Sequence, residues 1–183
     1  MEKRSLPERI EGSRVVLRRH ELELAELMFR AVDQDRKRLR RFLPWVDQTL
    51  EVIDELAYIQ LARDRWDEQT LFDYGLFRRD DGAYLGNVGV FALQWRDDVC
   101  ELGYWICEAS EGQGYVSEAV RTLEATLFQV GFHRIEIRCS SLNLRSSRIP
   151  ERNGYRLEGT LRESAIEHGQ YRSTLVYGKL STD

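Results

Sequence analysis

Cysteine is scarce in this chain. Among 183 residues there are three, Cys100, Cys107 and Cys139, too few and too far apart for a disulfide framework, and no pair has the C-x-x-C spacing of a zinc or redox site. Histidine is as rare: His20, His133 and His168 stand singly, which leaves no ligand set for a metal. A free thiol in a strand-like run behaves as a small hydrophobe, so the cysteines are expected to pack. No apolar run approaches the roughly 20 residues that span a bilayer, and the opening MEKRSLPERIEGS lacks the apolar core of a secretory signal. The expectation is a cytoplasmic protein with no membrane partner. Positive charge is not in excess either: the formal net charge is −4, which disfavours nucleic acid as a partner. One stretch departs from this, the basic run Asp35-Arg36-Lys37-Arg38-Leu39-Arg40-Arg41. It reads as the solvated end of a helix, where cations suit the dipole, or as a docking surface for an acidic partner.

What is present is a soluble globular balance, 42% hydrophobic and 32% charged residues. Without repeats, low-complexity stretches or a Pro/Gly/Ser linker, residues 1–183 are expected to form a single domain. Arg14 to Arg19 reads as a strand. Leu24, Leu27, Met28 and Ala31 carry helical spacing within Glu21 to about Leu39, and Leu43-Pro44-Trp45 interrupts it. A second helix is predicted from about Leu50 to Trp66. Three strands follow, Leu71 to Arg78, Tyr84 to Trp95 and Val99 to Cys107, joined by acidic turns as an antiparallel meander. The period then changes: Val116, Ala119, Val120, Leu123, Leu127 and Val130 mark a helix that Gly131 ends. Arg134 to Cys139 is a strand, a short helical piece ends near Asn153-Gly154, and strands from Tyr155 to Ile166 and Tyr171 to Leu180 close the chain. The order β-α-α-β-β-β-α-β-α-β-β describes an α+β fold.

The chemistry concentrates where the third strand of the meander feeds the Gly114 helix, through Glu111-Gly112-Gln113-Gly114-Tyr115-Val116. Glycines there let a ligand approach the backbone closely. The first amides of a helix have no intrahelical partner and favour negative charge, so the junction is a candidate phosphate cradle. It is neither of the common nucleotide loops. G-x-x-x-x-G-K-[ST] is absent, and Ser117 occupies the third glycine position of G-x-G-x-x-G.

From Arg14 to Leu180 the chain resembles the GNAT superfamily of N-acetyltransferases, and within it the ribosomal-protein N-terminal acetyltransferases of the RimL/RimJ group. The resemblance is carried by Leu102-Gly103-Tyr104-Trp105-Ile106, by Glu111 to Ala119, by His133-Arg134-Ile135-Glu136 and by Asn143-x-x-Ser146 followed by Glu151-Arg152-Asn153-Gly154-Tyr155. Leu157 to Arg162, Tyr177-Gly178 and Leu43-Pro44-Trp45 add to it. It implies a GNAT fold, a central mixed and mostly antiparallel sheet flanked by helices, and acetyl-CoA as co-substrate without a metal. The pyrophosphate would lie on the backbone amides of Gln113, Gly114, Tyr115, Val116 and Ser117. The pantetheine arm would run beside Trp105, Ile106 and Cys107, one of whose amides would serve the oxyanion, and Asn143 would touch the arm.

The sequence departs from the family pattern at three places. Glu111 stands where glutamine or arginine is usual, and an acidic side chain there is expected to weaken pyrophosphate binding unless it points to water. Val116 stands where glycine or alanine is usual and is expected to face the core. Pro150 replaces the tyrosine that protonates the thiolate in many relatives, leaving Ser146, or Ser147, as the substitute acid. It is also expected to prevent a long straight helix unless it lies in the first turn. Glu101, on the strand face shared with Gly103 and Trp105, is the candidate base, with a water relay as the alternative. Leu43, Trp45 and Tyr171 are candidate acceptor-groove walls. Three functional readings follow: an acetyltransferase for a protein N-terminus, one for a small amine, and a non-catalytic acyl-CoA-binding module. Relatives of this group are often homodimers.

Overall fold

A computed structural model of the chain describes residues 3–183. Its strands are β1 (Arg9–Glu11), β2 (Val15–Arg19), β3 (Phe72–Arg78), β4 (Tyr84–Gln94), β5 (Val99–Ile106), β6 (Arg134–Ser140), β7 (Arg156–Glu167) and β8 (Gln170–Leu180). Its helices are α1 (Ala25–Gln34), α2 (Arg36–Leu39), α3 (Val52–Asp67), α4 (Tyr115–Gln129) and α5 (Leu144–Arg152). The strands form one sheet in the order β1-β2-β3-β4-β5-β6-β8-β7. Every neighbouring pair is antiparallel except β5 and β6. This is the expected α+β architecture, with the β3-β4-β5 meander at its centre.

Two elements differ from the sequence reading. β1 is an additional short strand against β2, in a stretch too polar and too short to show alternation. The helix expected over Glu21 to Leu39 is divided: a 3₁₀ turn at Leu22–Leu24, then α1, then α2 after a break at Asp35. Asp35 leaves helical geometry (φ −103°, ψ 6°) and its carboxylate accepts hydrogen bonds from Arg38 (2.8 Å) and from the Glu108 amide (2.5 Å). A tertiary contact overrides the apolar periodicity here. Pro44 then opens a 3₁₀ turn at Pro44–Asp47, and a reciprocal capping box of Glu51 with Asp54 starts α3.

The core lies chiefly between α4 and the sheet. Val116, Ala119, Val120, Leu123 and Leu127 pack with Phe72, Tyr74, Leu76, Leu102, Ile135 and Ile137, as the helical stripe predicts. Cys100 and Cys139 are buried there too. Gly131, at φ 98°, follows the C-cap Val130 and ends α4. On the opposite face α1 and α3 form a smaller cluster around Ala25, Met28 and Ile59. Among the described residues no helix is long and apolar enough to cross a membrane.

Candidate active site

The sheet splits at its one parallel pair. β5 and β6 are in register from Val99↔Arg134 to Leu102↔Ile137 and no further. β5 nevertheless continues through Gly103–Ile106, and β6 through Arg138–Ser140 while still paired to β8. The backbone edges facing each other across this gap have no strand partner, and buried peptide groups need one. An extended ligand inserted there would supply the missing bonds.

The gap leads to the β5–α4 loop. Gly112 and Gly114 take φ 73° and 82°, the left-handed region that a side chain disfavours. Gly114 is the N-cap of α4 and no side chain caps the helix, so its first amides are available to an anion. Val116 is buried in the core, as expected of it. Ser117 also turns inward, where its hydroxyl accepts from Asn153 (3.0 Å), leaving only its amide for the cradle. Tyr115 is covered by Arg14, whose guanidinium lies 5.2 Å from the ring centroid. Arg14 also donates to the Gln113 carbonyl (3.0 Å) and to Glu118 (2.9 Å), fastening the loop to the start of β2.

Glu111 does not point to water. Its side chain is 22% exposed and is held by two arginines, Arg38 at 2.6 Å and Arg145 on the other oxygen. Arg38 also donates to the Ile106 carbonyl (2.6 Å). The basic run is correspondingly occupied. Arg36 donates to the Val46 and Thr49 carbonyls (2.5 and 2.6 Å) and Arg40 pairs with Asp47 (3.0 Å). These arginines staple α2 to its surroundings and are not a free cationic face; Lys37, Arg40 and Arg41 are the exposed members. Nothing in the composition singles out Arg14, Arg38 or Arg145, because each is an ordinary charged residue until the fold brings it to the loop.

Of the Trp105–Cys107 amides, the structure commits one elsewhere. Cys107 N–H donates to Leu85 on β4 (2.7 Å). Strand alternation turns Trp105 the same way and Ile106 the other way, in agreement with the Ile106 carbonyl reaching Arg38. The Ile106 amide therefore faces the gap and the other two do not. The Cys107 thiol is pushed up to about 11 by burial and the nearby Asp35. It stays protonated at neutral pH, as a packing residue would.

Asn143 caps α5, accepting from the Ser146 amide (3.2 Å). Pro150 lies within the last turn of this nine-residue helix and not in its first. It lacks the N–H that would bond the Ser146 carbonyl. The Tyr104 hydroxyl, reaching across from β5, donates to that carbonyl at 3.0 Å and lies 3.3 Å from Ser146 Oγ. A side chain from the far arm of the gap thus replaces the hydrogen bond that the proline removes. Ser147 points away, donating to the Leu144 carbonyl (3.2 Å).

Glu101 sits at the closed end of the gap, one residue before the last β5–β6 pair, opposite Phe91 and Glu136. Burial raises its carboxyl above the ordinary range; Arg138, 3.4 Å away, opposes this and Glu136 adds to it. Trp105 packs against Trp45 (centroids 6.1 Å apart) and Tyr84 (6.0 Å), and Leu43 joins the same cluster around Val32, Leu39 and Val46. Gly89 and Gly103 face each other with no side chains, and the Phe91 ring fills the space: a Cβ on Gly103 would come within 3.0 Å of it. Tyr171 is not part of this wall. It is 65% exposed near the β7–β8 turn and belongs to none of the buried clusters. Its neighbour Arg172 lines a cavity of about 170 Å³ together with Arg41, Phe42, Leu142, Glu167 and His168.

Behind Trp105 and Tyr84 lies a buried polar cluster that the sequence did not announce. Asp73 Oδ2 accepts from Tyr58 (2.5 Å) and Asn87 (3.1 Å) and lies 2.9 Å from His20 Nε2. Tyr84 donates to Asn87 (2.6 Å). Glu55, 3% exposed, faces this cluster from α3. Among the described residues no group of three or more His, Cys, Asp or Glu side chains is arranged to hold a metal ion.

This sheet, opened at one parallel pair above a glycine-built helix start, is matched by known proteins. The family described as the acetyltransferase (GNAT) domain matches residues 14–156. The chain belongs to the GNAT acetyltransferase family. The ribosomal-protein-serine acetyltransferase of Escherichia coli is 28% identical over 106 residues, a match spanning 57% of this chain and 58% of that protein's length. Among solved structures, RimL, a ribosomal L7/L12 α-N-protein acetyltransferase in complex with coenzyme A, superposes with a TM-score of 0.91 at 21% identity, covering 96% of this chain and 100% of its own. The microcin C7 self-immunity acetyltransferase MccE, in complex with acetyl-CoA and AMP, gives 0.88 at 20% identity, covering 92% and 93%. At these identities the superpositions establish the fold alone.

Proposed function

We propose that this GNAT-family chain transfers the acetyl group of acetyl-CoA directly to a primary amine, with the N-terminal α-amine of a protein as the acceptor. The gap between β5 and β6, ending at the uncapped α4 N-terminus, carries this reading. The pyrophosphate lies on the amides of Gln113 to Ser117, and the pantetheine arm pairs with the free edge of Gly103–Ile106. The neutral amine attacks the thioester carbonyl; a C–N bond forms, the C–S bond breaks, and the sulfur leaves as a thiolate. The Ile106 amide stabilises the oxyanion. Ser146 Oγ, which donates to the Tyr104 hydroxyl in this structure, turns its O–H to the thiolate. Glu101 accepts the proton that the amine gives up. Trp45, Leu43, Trp105 and Phe91 wall the acceptor side.

The α-amine acceptor is supported by the likeness to the ribosomal-protein-serine acetyltransferase. A small-amine acceptor keeps one supporting observation: MccE, solved in complex with acetyl-CoA and AMP, shares the fold at a TM-score of 0.88. Release of CoA thiol from acetyl-CoA, followed with a panel of N-terminal peptides and a panel of small amines, separates the two. Acetyl-CoA binding without release on either panel would overturn the transferase reading in favour of a binding module.

Glu101→Gln tests the base. An α-amine with an ordinary pKa of about 7.7–8.0 is already partly neutral at pH 8 but scarcely so at pH 6. The substitution is expected to lower kcat/KM about tenfold at pH 6 and little at pH 8.5. A pH–rate profile unchanged from the wild type's would remove Glu101 from the mechanism and leave the water relay.

A further inference from the structure

We propose that Arg145 is a phosphate-binding residue for acetyl-CoA, and that Glu111 is a placeholder anion that holds it at the lip of the cradle until a phosphate takes it over. The proposal rests on the acetyl-CoA site described above. It starts from an apparent conflict, a carboxylate next to the amides expected to receive a polyanion.

The two arginines on Glu111 differ in what else they do. Arg38 is fixed: besides Glu111 it donates to the Ile106 carbonyl and to Asp35, and its side chain is 24% exposed with Nε buried and unpartnered. Asp35 in turn accepts the Glu108 amide. Arg38 therefore belongs to the frame of the β5–α4 loop, and it stays bonded to Glu111 in every state while sharing its charge with Asp35. Arg145 is 76% exposed, stands in the first turn of α5 across the gap from that loop, and has Glu111 as its one polar partner among the described residues. An ion pair with so exposed a partner is weak. Guanidinium to phosphate is stronger, since planar donors meet the phosphate oxygens two at a time. Exchange of Glu111 for a phosphate at Arg145 thus runs downhill, and Glu111 keeps Arg38 as its hydrogen-bond partner afterwards. The arrangement also prepays ordering, because a long side chain that would otherwise sample many rotamers is already pointed at the loop.

Titration of the full chain with acetyl-CoA and with S-acetyl-pantetheine, which lacks the phosphates, tests this. Arg145→Gln is expected to weaken acetyl-CoA about tenfold or more and leave S-acetyl-pantetheine unchanged. Arg145→Lys keeps the charge and should recover part of the loss. Glu111→Gln removes the competitor and is expected to bind acetyl-CoA as tightly as the wild type or more tightly. Dephospho-CoA identifies the phosphate: a loss that persists with it points to the pyrophosphate, and a loss that disappears points to the 3′-phosphate. Wild-type affinity in Arg145→Gln, or an equal loss for S-acetyl-pantetheine, overturns the role of Arg145. A loss in Glu111→Gln as large as that in Arg145→Gln overturns the placeholder. A wild-type chain that binds S-acetyl-pantetheine but gains nothing from the phosphates sinks the cradle reading itself, and one that binds neither sinks the whole acetyl-CoA site.

Discussion

Gly86→Ala should lower the melting temperature by roughly 6–12 °C, the larger of the stability losses expected here and one made by a single methyl group. Gly86 has φ 147° and pairs with Ile106 on β5. A Cβ built on it would stand 2.2 Å from the Trp105 carbonyl oxygen, 2.8 Å from the Ile106 Cα and 3.0 Å from the Trp105 carbonyl carbon. All three are backbone atoms of a central strand, so no side-chain rotation relieves the clash. Strand β4 must move away from β5, or Gly86 must leave a conformation already unfavourable to alanine. Either costs about 3 kcal/mol or more, and in a chain of this size each kcal/mol is worth roughly 2–4 °C.

The same substitution should damage acetyl-CoA binding in whatever fraction stays folded. Trp105 and Ile106 form the edge proposed to pair with the pantetheine arm, and the displaced strand carries the Ile106 amide with it. Gly82→Ala is the control: its φ is also positive, at 71°, but nothing lies within 4 Å of the added Cβ. It should cost about 1 kcal/mol and leave affinity alone. Equal melting temperatures for the two variants would refute the steric argument, whereas a stability loss with unaltered affinity would separate the fold from the proposed pantetheine edge.

Periodicity read most of this molecule because most of it obeys local rules. The stripe from Val116 to Leu127 has to be a helix lying on a sheet, and the strands of the β3-β4-β5 meander alternate, with acidic turns between them. Gly114 and Val116 were legible for the same reason: a loop glycine before an apolar stripe has few other uses. What stayed hidden depends on partners far away in the chain. Asp35 breaks a good helical pattern because Glu108, in a distant loop, supplies an amide to it. Glu111 looked like a liability because Arg38 and Arg145 come from elements before and after it. Pro150 read as the loss of a catalytic tyrosine, yet the carbonyl it leaves free is what fixes Tyr104 across the gap. The buried cluster around Asp73 gave no signal, since His20, Glu55, Tyr58 and Asn87 are each unremarkable on their own elements.

That cluster makes the second large effect a matter of pH. Glu55 is buried against His20, Asp73, Asp54, Tyr58 and Tyr84, and among the described residues no donor reaches its carboxylate. Desolvation raises its pKa from 4.5 to about 7; His20 opposes the rise, and Asp73 and Asp54 add to it. The sign follows from proton counting. Between about pH 4.5 and 7 the folded chain keeps a proton on Glu55 that the unfolded chain has released, so stability falls as pH rises through this window. The contribution is complete below about 4.5 and gone above about 7, and the interval is worth ~3 kcal/mol. Glu55→Gln is neutral at every pH and escapes the loss. Relative to the wild type it should be nearly neutral at pH 5 and more stable at pH 8.5 by ~3 kcal/mol, a rise of roughly 6–12 °C in melting temperature. Comparing the two proteins at each pH cancels the contributions of the groups they share. Parallel curves from pH 5 to 8.5 would mean that Glu55 ionises as freely in the folded chain as in the unfolded one, and that the face behind Trp105 is wetter than its burial indicates. A gap that opens between about pH 4.5 and 7 and holds constant above it would instead establish that Glu55 keeps its proton into the neutral range, beneath the acceptor wall.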